Sequence, residues 1–237
     1  MRSPNPPGHL GRAGAFLLLA LVAGCAVFGR IGPSLPEDMD VRHTQVDEIE
    51  AALIFGEIEA ASASARWLAA RPDHPDLPRV ILGPTEDIRA FARTLLRSGS
   101  IEDAARSASE IAAACGRCHA AAGVVPLPAV TDSLASGSDP AARMSRLAWT
   151  VDRMWEAMVA ADDERWAGGV SVLEGTSLVQ DEGPDSREML LAGRLQELGS
   201  EARAAIPERR AAVYGRILST CAGCHALTGS RPRTPRM

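Results

Sequence analysis

The sequence predicts an all-α protein built as two tandem four-helix bundles, each with a Cys-x-x-Cys-His motif near the end of its last helix. Three observations carry that prediction. Apolar residues recur at three- and four-residue spacing in eight successive stretches, and helix start and stop residues bracket them. The second half also repeats the first: Val46-Asp47 is answered by Val151-Asp152 at an offset of 105, and Cys115 by Cys221 at an offset of 106. At 237 residues the chain is long enough to bury real cores.

Residues 1–25 read as an export signal. Arg2 and Arg12 precede the apolar run from Ala15 to Val22, which is too short to span a bilayer comfortably. Leu21-Val22-Ala23-Gly24-Cys25 resembles the lipobox of bacterial lipoproteins, so Cys25 is expected to be acylated and to become the first mature residue. By the same resemblance, Ala26 favours sorting to the outer membrane over the inner one. Residues 26–38, with Gly32-Pro33 and Leu35-Pro36, read as a tether.

The first repeat occupies residues 39–123. Val46, Ile49 and Leu53 define its first helix, which turns at Gly56, and a second runs from about Glu57 to Ala70 before the prolines at 72, 75 and 78. Ile88, Phe91, Ala92, Leu95 and Leu96 mark the third, ending at Gly99. Ser100 with Asp103 starts the fourth, which stops at Gly123.

Residues 124–138, with Pro126, Pro128 and Gly137, read as the linker between domains. The second repeat, 139–229, opens at Asp139-Pro140 with the stripe Met144, Leu147, Val151, Met154 and Met158. A shorter helix runs from Asp162 to about Glu174, Ser186 caps a third through Leu191, Leu195 and Leu198, and Pro207 begins the fourth. Residues 230–237 form a tail. Trp149, Trp155 and Trp166 are expected to pack this half.

Composition excludes some functions. A net charge of -5 and a pI near 5.6 argue against nucleic-acid binding, and all twenty-five basic residues are Arg. Apart from Cys25, every cysteine lies in one of two short motifs, Cys115-Gly-Arg-Cys118-His119 and Cys221-Ala-Gly-Cys224-His225. With five Cys and five His, one chance occurrence is expected at about 0.002 per chain, so two are not accidental.

Positions i, i+3 and i+4 share one helix face, so each motif directs two thiols and an imidazole the same way. That is the pattern for covalent haem c attachment: the thiols add across the two vinyl groups and the histidine becomes the proximal iron ligand. Two covalently attached haem c groups are therefore expected. A thioredoxin-like pair would need a βαβ setting that the chain lacks, and a shared zinc would need closer motifs.

A four-helix unit with Cys-x-x-Cys-His at the end of its last helix resembles the cytochrome c-prime and c-556 class, the class II cytochromes c. The resemblance implies that the last helix supplies the proximal ligands His119 and His225 while the first helix faces the distal side. His43 on the first helix is then the candidate distal ligand of the first haem. Its repeat counterpart is Ala148, which leaves Met144 as the nearest donor for the second. Met39 and His74 are weaker candidates. Because both proximal ligands come from one motif, any difference between the two sites is expected on the distal side.

These readings describe a lipid-anchored dihaem electron carrier on the periplasmic side of a membrane. It would have no catalytic residues of its own, although a catalytic haem is not excluded, and it would exchange electrons with redox partners through a basic docking surface. The alternative is a haem module with an open distal site that binds NO or CO as a sensor or scavenger.

Overall fold

The computed structural model describes residues 34–126, 134–176 and 186–229, and the lipobox with Cys25 lies outside them. The described residues form eight α-helices and no strand: α1 Leu35–Ile54, α2 Ile58–Ala70, α3 Leu82–Leu95, α4 Ile101–Ala122, α5 Pro140–Ala160, α6 Asp163–Gly175, α7 Arg187–Ala204 and α8 Pro207–Thr228. A single 3-10 turn at Arg79–Ile81 leads into α3.

Local chemistry sets most of the starts. Side chains of Ser100, Asp139, Asp162 and Ser186 accept from the backbone N–H groups of Asp103, Ala142, Arg165 and Met189, satisfying donors that a helix start leaves without partners. Pro207 occupies the first turn of α8, where its missing N–H costs nothing. The stops at Gly123 and Gly229 are left-handed, with φ of +66° and +65°.

The repeat reappears in these boundaries. Helices α2 and α6 are both 13 residues long and begin at 58 and 163; α4 and α8 are both 22 residues long and begin at 101 and 207. Gly56 follows α1 with φ +75°, and its counterpart Ala161 follows α5 with φ +54°, the one non-glycine residue with positive φ among the described residues. Alanine there accepts a conformation that costs about 1–2 kcal/mol, the same turn that glycine makes freely in the first half.

One boundary differs from the sequence reading. Helix α1 begins at Leu35, inside the segment read as tether, because the Ser34 N–H donates to Glu37 Oε2 at 2.7 Å and Pro36 suits a first turn. Its far side is tied down by a buried carboxylate: Asp38 accepts from Arg42 Nε at 2.7 Å and pairs with Arg71, while the Arg42 guanidinium also donates to the Pro72 carbonyl at 2.8 Å. Burial would raise the Asp38 pKa, but these two guanidinium partners outweigh it and hold the carboxyl below its usual range.

Packing runs in sequence order within each half: α1 on α2, α2 on α3, α3 on α4 and α4 back on α1, then the same ring for α5 to α8. The halves also meet. Helix α4 packs on α5 and α8, and α1 packs on α8, so the buried side chains of both halves join in one apolar core. Small residues permit this, since Ala104, Ala105, Ala108, Ala112 and Ala114 are all fully buried on α4. A Cβ on Gly215 would sit 3.0 Å from the Arg106 Cα, which shows how closely the two motif-bearing helices approach.

The sequence stripes describe the core well except at one end. Val46, Ile49, Leu53, Val151, Met154 and Met158 are buried, whereas Met144, in the first turns of α5, is 49% exposed. Trp155 packs against Tyr214 of its own half, with ring centroids 5.7 Å apart, and does more. It reaches out of its own half, donating from Nε1 to Asp47 Oδ1 on α1 at 3.1 Å. Among the described residues no helix is long and apolar enough to cross a membrane.

Candidate functional site

Both motifs occupy the last two turns of 22-residue helices and carry their thiols on the inward face. Cys118 is buried, and Cys115, Cys221 and Cys224 are half-buried; all four are free thiols. Burial pushes Cys115 and Cys221 up to about 12, with the neighbouring motif thiol adding to it. Such thiols stay protonated at neutral pH, which disfavours a nucleophilic redox pair. A thioether carries no charge on sulfur, so this environment fits covalent attachment of a haem.

The imidazoles fit as well. His119 Nδ1 lies 2.7 Å from the Val159 carbonyl oxygen, so it carries the proton and donates, and Nε2 remains to face an iron. Val159 is in the last turn of α5, where the carbonyls have no partner within the helix. His225 instead packs edge-on against Phe55 at the end of α1, with ring centroids 4.6 Å apart and planes at 70°. Its Nδ1 is buried without a hydrogen-bond partner, and burial lowers its pKa, keeping the ring neutral.

Each motif is thus set against the first helix of the opposite half. The pairs Asp47 with Trp155 and Glu50 with Val151, the latter joined through Tyr214, run in opposite directions along α1 and α5. The ends of those helices therefore point apart, and the two motifs sit at opposite ends of the interface. The surroundings of His119 and His225 are not alike.

At the centre of that interface is a buried polar group. The Tyr214 hydroxyl contacts Glu50 and lies 2.9 Å from the Val151 carbonyl oxygen. One phenolic proton cannot serve two acceptors, so the geometry is satisfied when Glu50 is protonated and donates to Tyr214, which donates to Val151. Burial drives the Glu50 pKa well above its ordinary value, and Asp152, Asp47 and Glu156 raise it further; a Tyr214 hydroxyl donating to the carboxylate would lower it, but by less than burial raises it. Asp152 is itself raised to about 6 by burial and by Glu156.

The distal candidates are less well placed. His43 is about one-third exposed and holds Nε2 3.5 Å from Asp47 Oδ2. Its counterpart Ala148 is exposed and Leu147 is half-buried. Met39 is half-buried. His74 is more enclosed than a loop histidine usually is, its side chain 9% exposed, and its Nδ1 accepts from the Asp76 N–H at 3.2 Å.

Sequence reasoning missed Arg42, Glu50, Phe55, Val159 and Tyr214. Arg42 lies near both first-motif thiols and lowers their pKa against the effect of burial, and its counterpart is Leu147. A buried Arg one residue from a candidate ligand was a signal that could have been read. A cavity of about 410 Å³ is lined by Phe91, Thr94, Arg97, Asp103 and Glu110 among others, and none of the motif residues lines it.

Among the described residues no three His, Cys, Asp or Glu side chains converge as a metal cage. A haem would ask only one imidazole of each motif, since the porphyrin itself would supply four nitrogen donors. No family model matches the chain, and neither curated proteins nor solved structures give a match.

Proposed function

We propose that this chain is a dihaem c-type cytochrome that carries electrons between redox partners. Cys115 and Cys118 hold one haem and Cys221 and Cys224 the other, with His119 and His225 as proximal ligands. The observation that carries the reading is the recurrence of the whole Cys-x-x-Cys-His motif at one register of two 22-residue helices, its thiols buried or half-buried. Each haem would supply a one-electron iron couple.

The protein's own residues do the rest. They bind the macrocycle through two thioethers, orient one imidazole through the Val159 carbonyl, and exclude water with the alanine-rich face of α4 and the Val213, Tyr214, Ile217 and Leu218 face of α8. In this reading the halves are tandem four-helix units of the cytochrome c-prime and c-556 type. Acylated Cys25 anchors them on the periplasmic side, preferentially at the outer membrane, and an acidic surface meets basic partners. The chemistry is electron carriage and not catalysis by side chains.

Production in a host that matures c-type cytochromes tests this directly. Proteolytic peptides spanning 115–119 and 221–225 should each carry a haem by mass spectrometry, and haem absent from both peptides would refute the reading. A second reading, NO or CO binding, is favoured by one observation: Ala148 offers the second site no ligand and Met144 is exposed.

A further inference from the structure

The two proximal histidines meet different groups of the opposite half, and one residue pair accounts for it. In the first site the Val159 carbonyl accepts from His119, and the next residue, Ala160, is too small to intervene. In the second site the counterpart of Val159 is Ile54 and the counterpart of Ala160 is Phe55, whose ring lies against His225. His225 Nδ1 has no acceptor even though it is buried.

Helix approach reinforces the contrast. Gly116 lets the α5 backbone come so near that a Cβ there would stand 2.1 Å from the Met158 carbonyl oxygen. The equivalent Ala222 keeps its Cβ, and even a Cβ added to Gly56 opposite would stand 3.7 Å from it, an ordinary contact.

We propose that Phe55 is a positioning residue that makes the two haems inequivalent from the proximal side, by keeping from His225 the carbonyl that its counterpart leaves to His119. This rests on the haem reading above. A donated Nδ1 proton makes imidazole a stronger electron donor and favours ferric iron, so the haem on His119 has the lower reduction potential and that on His225 the higher. Phe55 touches neither iron nor partner; it acts through the orientation and basicity of His225.

The test is a spectroelectrochemical titration of the intact dihaem protein, its waves assigned with Cys115→Ala/Cys118→Ala, which keeps only the second haem. Two waves are expected, the higher one belonging to His225. Phe55→Ala should shift that wave down and leave the other in place, because it opens the way to the Ile54 carbonyl at the end of α1. Ala160→Phe, the reciprocal change, should shift the lower wave up, and it keeps the proposal open to refutation if Phe55→Ala does not fold.

Coincident wild-type waves, or waves that stay put in whichever variant folds, would overturn it. Covalent haem content, measured on the same samples, separates that outcome from failure of the haem reading itself: a chain without haem gives no wave, whereas a loaded chain with unmoved waves refutes only the role of Phe55.

Discussion

The Cβ that Gly116 lacks would lie 2.1 Å from the carbonyl oxygen of Met158, so the first motif helix and α5 touch backbone to backbone at that point. No rotamer relieves such an overlap, because both atoms are fixed to helices. Gly116→Ala should therefore push α5 away, cost about 1–3 kcal/mol as overpacked positions do, and break the bond from His119 to Val159. Chemical denaturation measures the first effect. The mirror change, Ala222→Gly, removes a methyl that has room, and should cost only about 1 kcal/mol through helix propensity.

Glu50 and Tyr214 make stability depend on pH in an unusual direction. The folded Glu50 holds its proton more tightly than the unfolded chain does, with burial as the main cause. Stability linked to it is full below the ordinary carboxyl value of 4.5 and is lost as pH rises through the folded value. Asp152 works the same way, its share lost between 3.8 and about 6. Glu50→Gln should stay neutral throughout and flatten this decline. Melting temperatures at about pH 5 and pH 8 decide it, at about 2–4 °C per kcal/mol for a chain of this size; parallel wild-type and variant curves would exclude a protonated Glu50.

Trp155 joins the halves energetically. It is almost fully buried, donates to Asp47 across the interface and stacks at a tilt on Tyr214, with centroids 5.7 Å apart. Trp155→Ala should cost about 3–5 kcal/mol. Because the core is continuous, calorimetry should show one transition that moves as a whole, not a shift confined to the second repeat. Two separable transitions would mean that the halves behave as independent units.

What was legible in the sequence was local. Ser100, Asp139, Asp162 and Ser186 mark helix starts because a cap acts over three residues, and the recurrence at 105 or 106 needs only comparison of the two halves. The motif residues were legible because their chemistry requires a fixed spacing. The start of α1 was not: Gly32-Pro33 and Leu35-Pro36 signal a loop, and the Ser34 capping box that overrides them is a weaker pattern.

The cross-half contacts were hidden for a physical reason. Tyr214 with Glu50, Trp155 with Asp47, and His225 with Phe55 join residues more than a hundred positions apart. Helical periodicity says which face is apolar and nothing about which helix covers it. Alanine-rich α4 is the clearest case, since small side chains on several faces permit four neighbouring helices as readily as one.

The distal sides yield the last prediction, which bears on gas binding. In the first half Arg42 is buried near both thiols, and the next residue, His43, is a nitrogen donor held by Asp47 at 3.5 Å. In the second half these positions are Leu147 and Ala148, neither able to ligate, while Met144 is 49% exposed and would have to fold inward, losing the freedom of a flexible side chain. If the proposed haems are bound and His43 leaves Asp47 to ligate the first, the first iron is closed and the second open. CO titration of the reduced dihaem protein should then give one equivalent per chain, and His43→Ala should give two. Asp47→Asn, which weakens the competing contact, should leave one equivalent and strengthen the low-spin signature of the first haem. Two equivalents in the wild type would remove His43 as a ligand. No uptake in the wild type, relieved by Met144→Ala, would assign the second distal position to Met144 and close the route to gas binding.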